Sequence, residues 1–196
     1  MKQQGYVQLL TRLFVLGLAL LASTASYAYS YAAAGKEPVI DGREAILTAL
    51  SQQNFVAVQQ AVDGLTDEFT YLQKEHQVDL FTPMQAAVAA KDTAKVEAVM
   101  DRAVVEEIIR RLDGAGKNLA DYQVAKVLVV KSKLFLDLIT PKLDDAHRQQ
   151  ADLAIQGTLQ AIGNPGVFGV GQAPADPQAF KQQSQLLIDA ISTLHQ

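Results

Sequence analysis

The stretches Ile46–Glu68 (ILTALSQQNFVAVQQAVDGLTDE) and Met84–Glu106 (MQAAVAAKDTAKVEAVMDRAVVE) decide the fold. Laid over one another at an offset of 38 residues, they match position by position. Ala49 meets Ala87, Leu50 meets Val88, Asn54 meets Asp92 and Val58 meets Val96; further on, Val62 meets Met100, Asp63 meets Asp101 and Glu68 meets Glu106. Apolar residues recur at three- and four-residue spacing on both sides of the Asn or Asp, which is the pattern of amphipathic helices. Asn and Asp are the residues whose short side chains accept from the first free amides of a helix. The pattern predicts two αα-hairpins, 42–52 with 54–76 and 83–90 with 92–113. Two copies are too few for a solenoid, so the duplicated hairpins are expected inside a bundle.

The flanking sequence extends the same reading. Asp41 and Glu44 have capping-box spacing and predict the first helix start. Pro83 suits the first turn of the third helix. Asp113-Gly-Ala-Gly116 is expected to end the fourth. A fifth helix runs from about Asn118 to Thr140 and stops at Pro141. It is apolar on most of its circumference and is expected to be central, with neighbours on several sides. A sixth spans about 143–162, and Asp176-Pro177 starts the last. The expectation is an all-α antiparallel bundle of about seven helices in one domain, 41–196.

Ahead of it, residues 1–28 read as a secretory signal. Lys2 and Arg12 precede the apolar run Leu13–Ala22, and Ser26-Tyr27-Ala28 supplies a small-x-small exit. Retention of that run as an N-terminal anchor is the alternative. Residues 29–40 read as a flexible lead-in. The expected location is periplasmic or secreted, with no stable membrane insertion after cleavage.

Composition narrows the function. The chain carries a net charge of −4, which becomes −6 without residues 1–28. Nucleic acid wants a basic face and is excluded as a partner. There is no cysteine, so disulfides, thiol catalysis and cysteine-zinc sites are excluded. No His-Glu-x-x-His helix, phosphate loop or nucleophile elbow is present, so no enzyme is expected.

Three clusters remain as candidates. On the second helix Glu68, Tyr71, Leu72, Glu75, His76 and Asp79 share one face, placing carboxylate, phenol and imidazole together. Those ligand types suit iron or another divalent metal. Glu106 or Glu107 would complete the set if the hairpins converge, so the metal candidates are Glu68, Glu106 and His76; the alternative is a solvated polar stripe. On the fifth helix Tyr122 and Lys126 are candidates for a small anionic ligand such as a haem propionate or an organic acid. The alternative there is an ion pair that fixes helix register, Lys126 or Lys133 being paired with a glutamate or with Asp137. Arg110 and Arg111 add to that pocket or face water. His147 and His195 are expected in solvent. Finally, Gly163–Gly171 (GNPGVFGVG) is a turn-rich loop, read as a shaped cap or as a docking loop for an envelope protein.

The hairpin repeat, Asp121-Tyr-Gln-Val-Ala-Lys126 and Gly163-Asn-Pro-Gly-Val-Phe-Gly169 together resemble exported helical-bundle proteins of bacteria associated with iron uptake, including periplasmic portions related to iron permeases. The likeness covers about 40–194 and implies iron or haem handling. The histidine–carboxylate pattern of the imelysin-like iron proteins is absent, so no ligand residues are carried over. The functional expectation is a non-enzymatic binding or accessory protein; the alternative is a structural interaction module of the cell envelope.

Overall fold

The computed structural model describes residues 37–166 and 171–194. The expected signal segment, most of the expected lead-in, Val167–Val170 and His195 lie outside the described residues. From Pro38 onward the chain packs as one unit. It is all-α: eight helices and no strand among the described residues. They are α1 Pro38–Ser51, α2 Phe55–Asp63, α3 Thr66–His76, α4 Phe81–Ala89, α5 Thr93–Lys117, α6 Tyr122–Ile139, α7 Asp145–Ala161 and α8 Pro177–Ile191. Short 3₁₀ turns follow α6 (Thr140–Lys142) and α8 (Ser192–Leu194).

The duplicated hairpins are present in atomic detail. Gln53 and Lys91 both turn left-handed, with φ of 53°. The amide of each bonds back three residues, to Leu50 O and Val88 O, and the next amide reaches Ala49 O and Ala87 O. Asn54 then accepts from Ala57 N and Asp92 from Lys95 N, both at 3.1 Å. So each hairpin closes on one motif: a left-handed C-cap followed at once by an N-cap.

The second helix of the first hairpin is broken, which is why eight helices stand where about seven are expected. Gly64 is a weak helix former, and Thr66 Oγ1 donates to Asp63 O at 2.7 Å, ending α2 and starting α3. The break turns Leu65 into the core, where it is 1% exposed. Gly42 makes room for it: a Cβ there would lie 2.6 Å from the Leu65 side chain. The second copy has Arg102 and Ala103 at the matching positions and runs unbroken through α5.

Helix ends differ from expectation in three further places. α1 starts at Pro38, because proline presets the first helical residue; Asp41 is therefore in the first turn and not at the cap. α4 starts at Phe81, with Asp79 Oδ1 accepting from Thr82 N at 3.0 Å. α5 runs through Gly114 and Gly116 to Lys117. Those glycines bring neighbours close: a Cβ at Gly114 would lie 3.3 Å from Leu128 of α6, and one at Gly116 3.3 Å from Phe180 of α8.

The central helix is α5, not α6. It packs against α1, α4, α6 and α8. It buries Val96, Met100, Val104, Ile108, Leu112 and Ala115 along its length. α6 packs on α5 and α7 and leaves its opposite side open. Val127, Val130 and Leu134 on that side are 49%, 50% and 48% exposed. The physical reason for the reversal is that α5 carries its charges inside, as ion pairs, which disguises its central position in the sequence.

Candidate functional site

α5 presents a row of acids and bases to the interior: Asp101, Glu106, Glu107 and Arg111 are all buried. A buried charge requires a partner, and each has one. Asp101 Oδ1 accepts from Arg43 Nη2 of α1 at 3.3 Å. Its other oxygen accepts from Lys142 Nζ in the turn after α6, and Lys142 also stands 3.6 Å from Glu97. This one carboxylate therefore joins three separate segments of chain. Glu106 pairs with Arg102 Nε at 3.8 Å.

Glu107 holds two arginines. Arg110 donates to both of its carboxylate oxygens, from Nε at 3.1 Å and from Nη2 at 2.8 Å. Arg111 donates to Oε2 and, at 3.1 Å, to the Glu107 carbonyl. The guanidinium of Arg111 lies 4.1 Å over the Phe135 ring, and that of Arg110 lies 5.4 Å over Tyr71. Burial pushes the Glu107 carboxyl up, but the hydrogen bond from Arg110 and the two guanidinium charges outweigh it and hold the group below its ordinary range. Arg110 is correspondingly held above its ordinary value: burial lowers it, and the Glu107 hydrogen bond and charge more than offset that.

The residues singled out from the sequence fall in three places. Glu68 is half-buried on α3; burial, with added repulsion from Asp67 and Glu107, raises its carboxyl above the usual range. His76 ends α3 with its ring 5.6 Å from that of Tyr71. Lys126 is exposed on α6 and sits 5.6 Å over the Tyr122 ring. The structure thus brings Tyr122 to Lys126 and Glu68 within electrostatic reach of Glu107. It does not gather Glu68, Glu106 and His76: among the described residues no three His, Cys, Asp or Glu side chains are placed to hold a metal ion. Lys133 pairs with Asp137 as their spacing suggests. Arg110 and Arg111 serve Glu107. His147 pairs with Asp144 at 2.7 Å at the start of α7.

The chain matches no protein-family model, no curated protein and no solved structure.

Two apolar surfaces remain without a cover among the described residues. One is the outer row of α6. The other is an open groove of about 330 Å³ between α7 and α8, lined by Gln149, Gln150, Leu153, Gln183 and Leu186 among others. Leu153 is 61% and Leu186 38% exposed. No lining residue of this groove titrates near neutral pH, so it offers contact area and amide hydrogen bonds, not acid–base chemistry. Sequence reading missed both surfaces, although Val127, Val130 and Leu134 follow three–four spacing that marks a helix face.

At the α7–α8 connection, Asn164 and Ala173 exchange two backbone hydrogen bonds of 2.8 Å. Gly163, at φ 80°, backs onto Ala173 O so closely that a Cβ would lie 2.6 Å from it. The base of the Gly163–Gly171 loop is thus closed by a single antiparallel bridge. Its tip, Val167–Val170, lies outside the described residues.

Proposed function

We propose that this chain is an exported, non-enzymatic interaction module, working by docking other proteins onto its helical surface. One observation carries the reading: the buried charges of α5 are engaged by partners within the protein while a row of apolar side chains on α6 faces outward. Asp101, Glu106 and Glu107 are engaged by Arg43, Lys142, Arg102, Arg110 and Arg111. Groups so engaged set helix register, and opening them to bind a ligand would strand a buried charge. Exposed apolar clusters, in contrast, mark interaction sites. The signal-type sequence of residues 1–28 supports action outside the cytoplasm.

Iron or haem handling, implied by the resemblance, is the rival. The experiment that separates the two uses the purified chain and intact cells. Thermal melts with iron, zinc, copper and haem are expected to leave the midpoint unmoved. A photo-cross-linking residue at Val130 or Leu153 is expected to give discrete protein adducts in cells, with none from the exposed position Glu44. A midpoint raised by iron or haem, with no adduct from either position, would overturn the proposal.

A further inference from the structure

α6 carries two apolar faces on opposite sides, and the outer one has the layout of a coiled-coil seam. In heptad notation, Val127 takes position a, Val130 d, Leu134 a and Asp137 d. Ala125, Ser132 and Ile139 then fall at f, at spacings of seven, and each is 0% exposed. Val129 and Leu136 fall at c, at 1% and 0%. The f and c positions face the protein's own core, so a and d point directly away from it. A helix of 18 residues is about 27 Å long. That is room for two heptads, with Gln123 and Asp137 closing the ends of the apolar row.

The flanks of this seam say what fits it. In a coiled coil the residues at e and g face the partner's flanks and select it by charge. Here g holds Lys126 and Lys133, and e holds Val124, Lys131 and Leu138. Every charged flank position is lysine, in a chain whose net charge is −4. A second copy of this chain would set lysine against lysine: parallel pairing faces g with e, and antiparallel pairing faces g with g and e with e. Like charges across such a seam disfavour association. A bilayer surface is a poorer match as well. Membrane-surface helices bring a broad apolar face with aromatic residues, whereas the exposed row here is three aliphatic side chains, Val127, Val130 and Leu134.

We propose that the outer face of α6 docks an acidic amphipathic helix of a partner protein, with apolar residues at its a and d positions and Glu or Asp on its flanks. The partner's apolar row covers Val127, Val130 and Leu134. Its carboxylates meet Lys126 and Lys133, the latter exchanging its pairing with Asp137. This rests on the interaction reading above and narrows it to one face and one partner chemistry.

The test uses the full folded chain and two synthetic helices of about three heptads, identical at a and d, one with Glu and one with Lys throughout e and g. Calorimetric titration is expected to show micromolar binding of the Glu helix and none of the Lys helix. Lys126→Glu with Lys133→Glu is expected to weaken the Glu helix at least about tenfold and to admit the Lys helix. Val130→Ser, a mild change at an exposed site, is expected to weaken binding about as much while the circular dichroism spectrum and melting midpoint stay unchanged, which separates docking from folding. Equal binding of both helices, or binding indifferent to Val130→Ser, overturns the proposal. So does sedimentation showing self-association that Val130→Ser abolishes, which assigns the face to a second copy, and so does uptake on anionic vesicles with the same dependence. If these results fail while Leu153 still cross-links in cells, the interaction reading stands and only the α6 seam falls.

Discussion

Gln53 and Lys91, 38 residues apart, adopt the same left-handed backbone conformation, with φ of 53°. Each is followed by a residue that caps the next helix. Non-glycine residues pay for that conformation, by roughly 1–2 kcal/mol. Gln53→Gly and Lys91→Gly are each expected to raise stability by about 1 kcal/mol. Asn54→Ala and Asp92→Ala are each expected to lower it by about 1 kcal/mol. Urea midpoints of the four variants check both, with unchanged slopes expected.

Position 101 separates the two copies of the repeat. Asp63 is exposed and accepts a hydrogen bond from Gln59, whereas Asp101 is buried between Arg43 and Lys142. Removing one partner of a buried ion pair costs about 3 kcal/mol. Asp101→Asn is expected to cost about that much, and Asp63→Asn less than about 0.5 kcal/mol. Denaturant unfolding of the pair of variants measures the contrast. Equal effects would mean that Asp101 does not join α1, α5 and the turn after α6.

Much of this architecture is legible in the sequence, and the part that is not has a common cause. The hairpin turns are readable because Asn54 and Asp92 act through local backbone chemistry that a short window contains. The break at Gly64–Leu65 is harder to read, because it depends on Gly42, more than twenty residues away, leaving space for Leu65. The centrality of α5 is hidden for a related reason. Glu107 and Arg111 look like surface residues, and only their pairing, with Phe135 beneath the guanidinium, makes burial tolerable. A sequence apolar on most of its circumference suggests that α6 is central, whereas its second apolar side, with Val127, Val130 and Leu134, faces outward. The Glu68–Glu106–His76 grouping depended on the two hairpins converging, which spacing alone does not determine.

The carboxyls of Glu107 and Glu68 pull stability in opposite directions with pH. Glu107 lies below its ordinary range when folded. Its contribution is therefore present above the unfolded-state value of about 4.3 and is lost as pH falls through the lower folded value. Glu68 lies above its ordinary range. Its contribution is present below about 4.3 and is lost as pH rises through the higher folded value. Glu107→Gln is expected to flatten the acid limb of the stability profile. Glu68→Gln is expected to make the protein more stable at pH 7 and to remove that gain in acid. Chemical unfolding from pH 3 to pH 8 reads both signs.

The Gly42–Leu65 contact is expected to show strong coupling. Gly42→Ala places a methyl 2.6 Å from the Leu65 side chain, and overpacking of that kind costs about 1–3 kcal/mol. In a Leu65→Ala background the same substitution is expected to cost less than about 0.5 kcal/mol, the clash being gone. A double-mutant cycle by urea unfolding checks this; additive effects would contradict the packing described for the α2–α3 break.

The outward face of α6 is tested most directly by methyl NMR of the full chain as the Glu-flanked helix is added. The methyl signals of Val127, Val130 and Leu134 are expected to shift together and to saturate, while those of Leu153 and Leu186 in the α7–α8 groove stay in place. Shifts confined to Leu153 and Leu186, or no shift at saturating peptide, would contradict the assignment of this face as the docking surface.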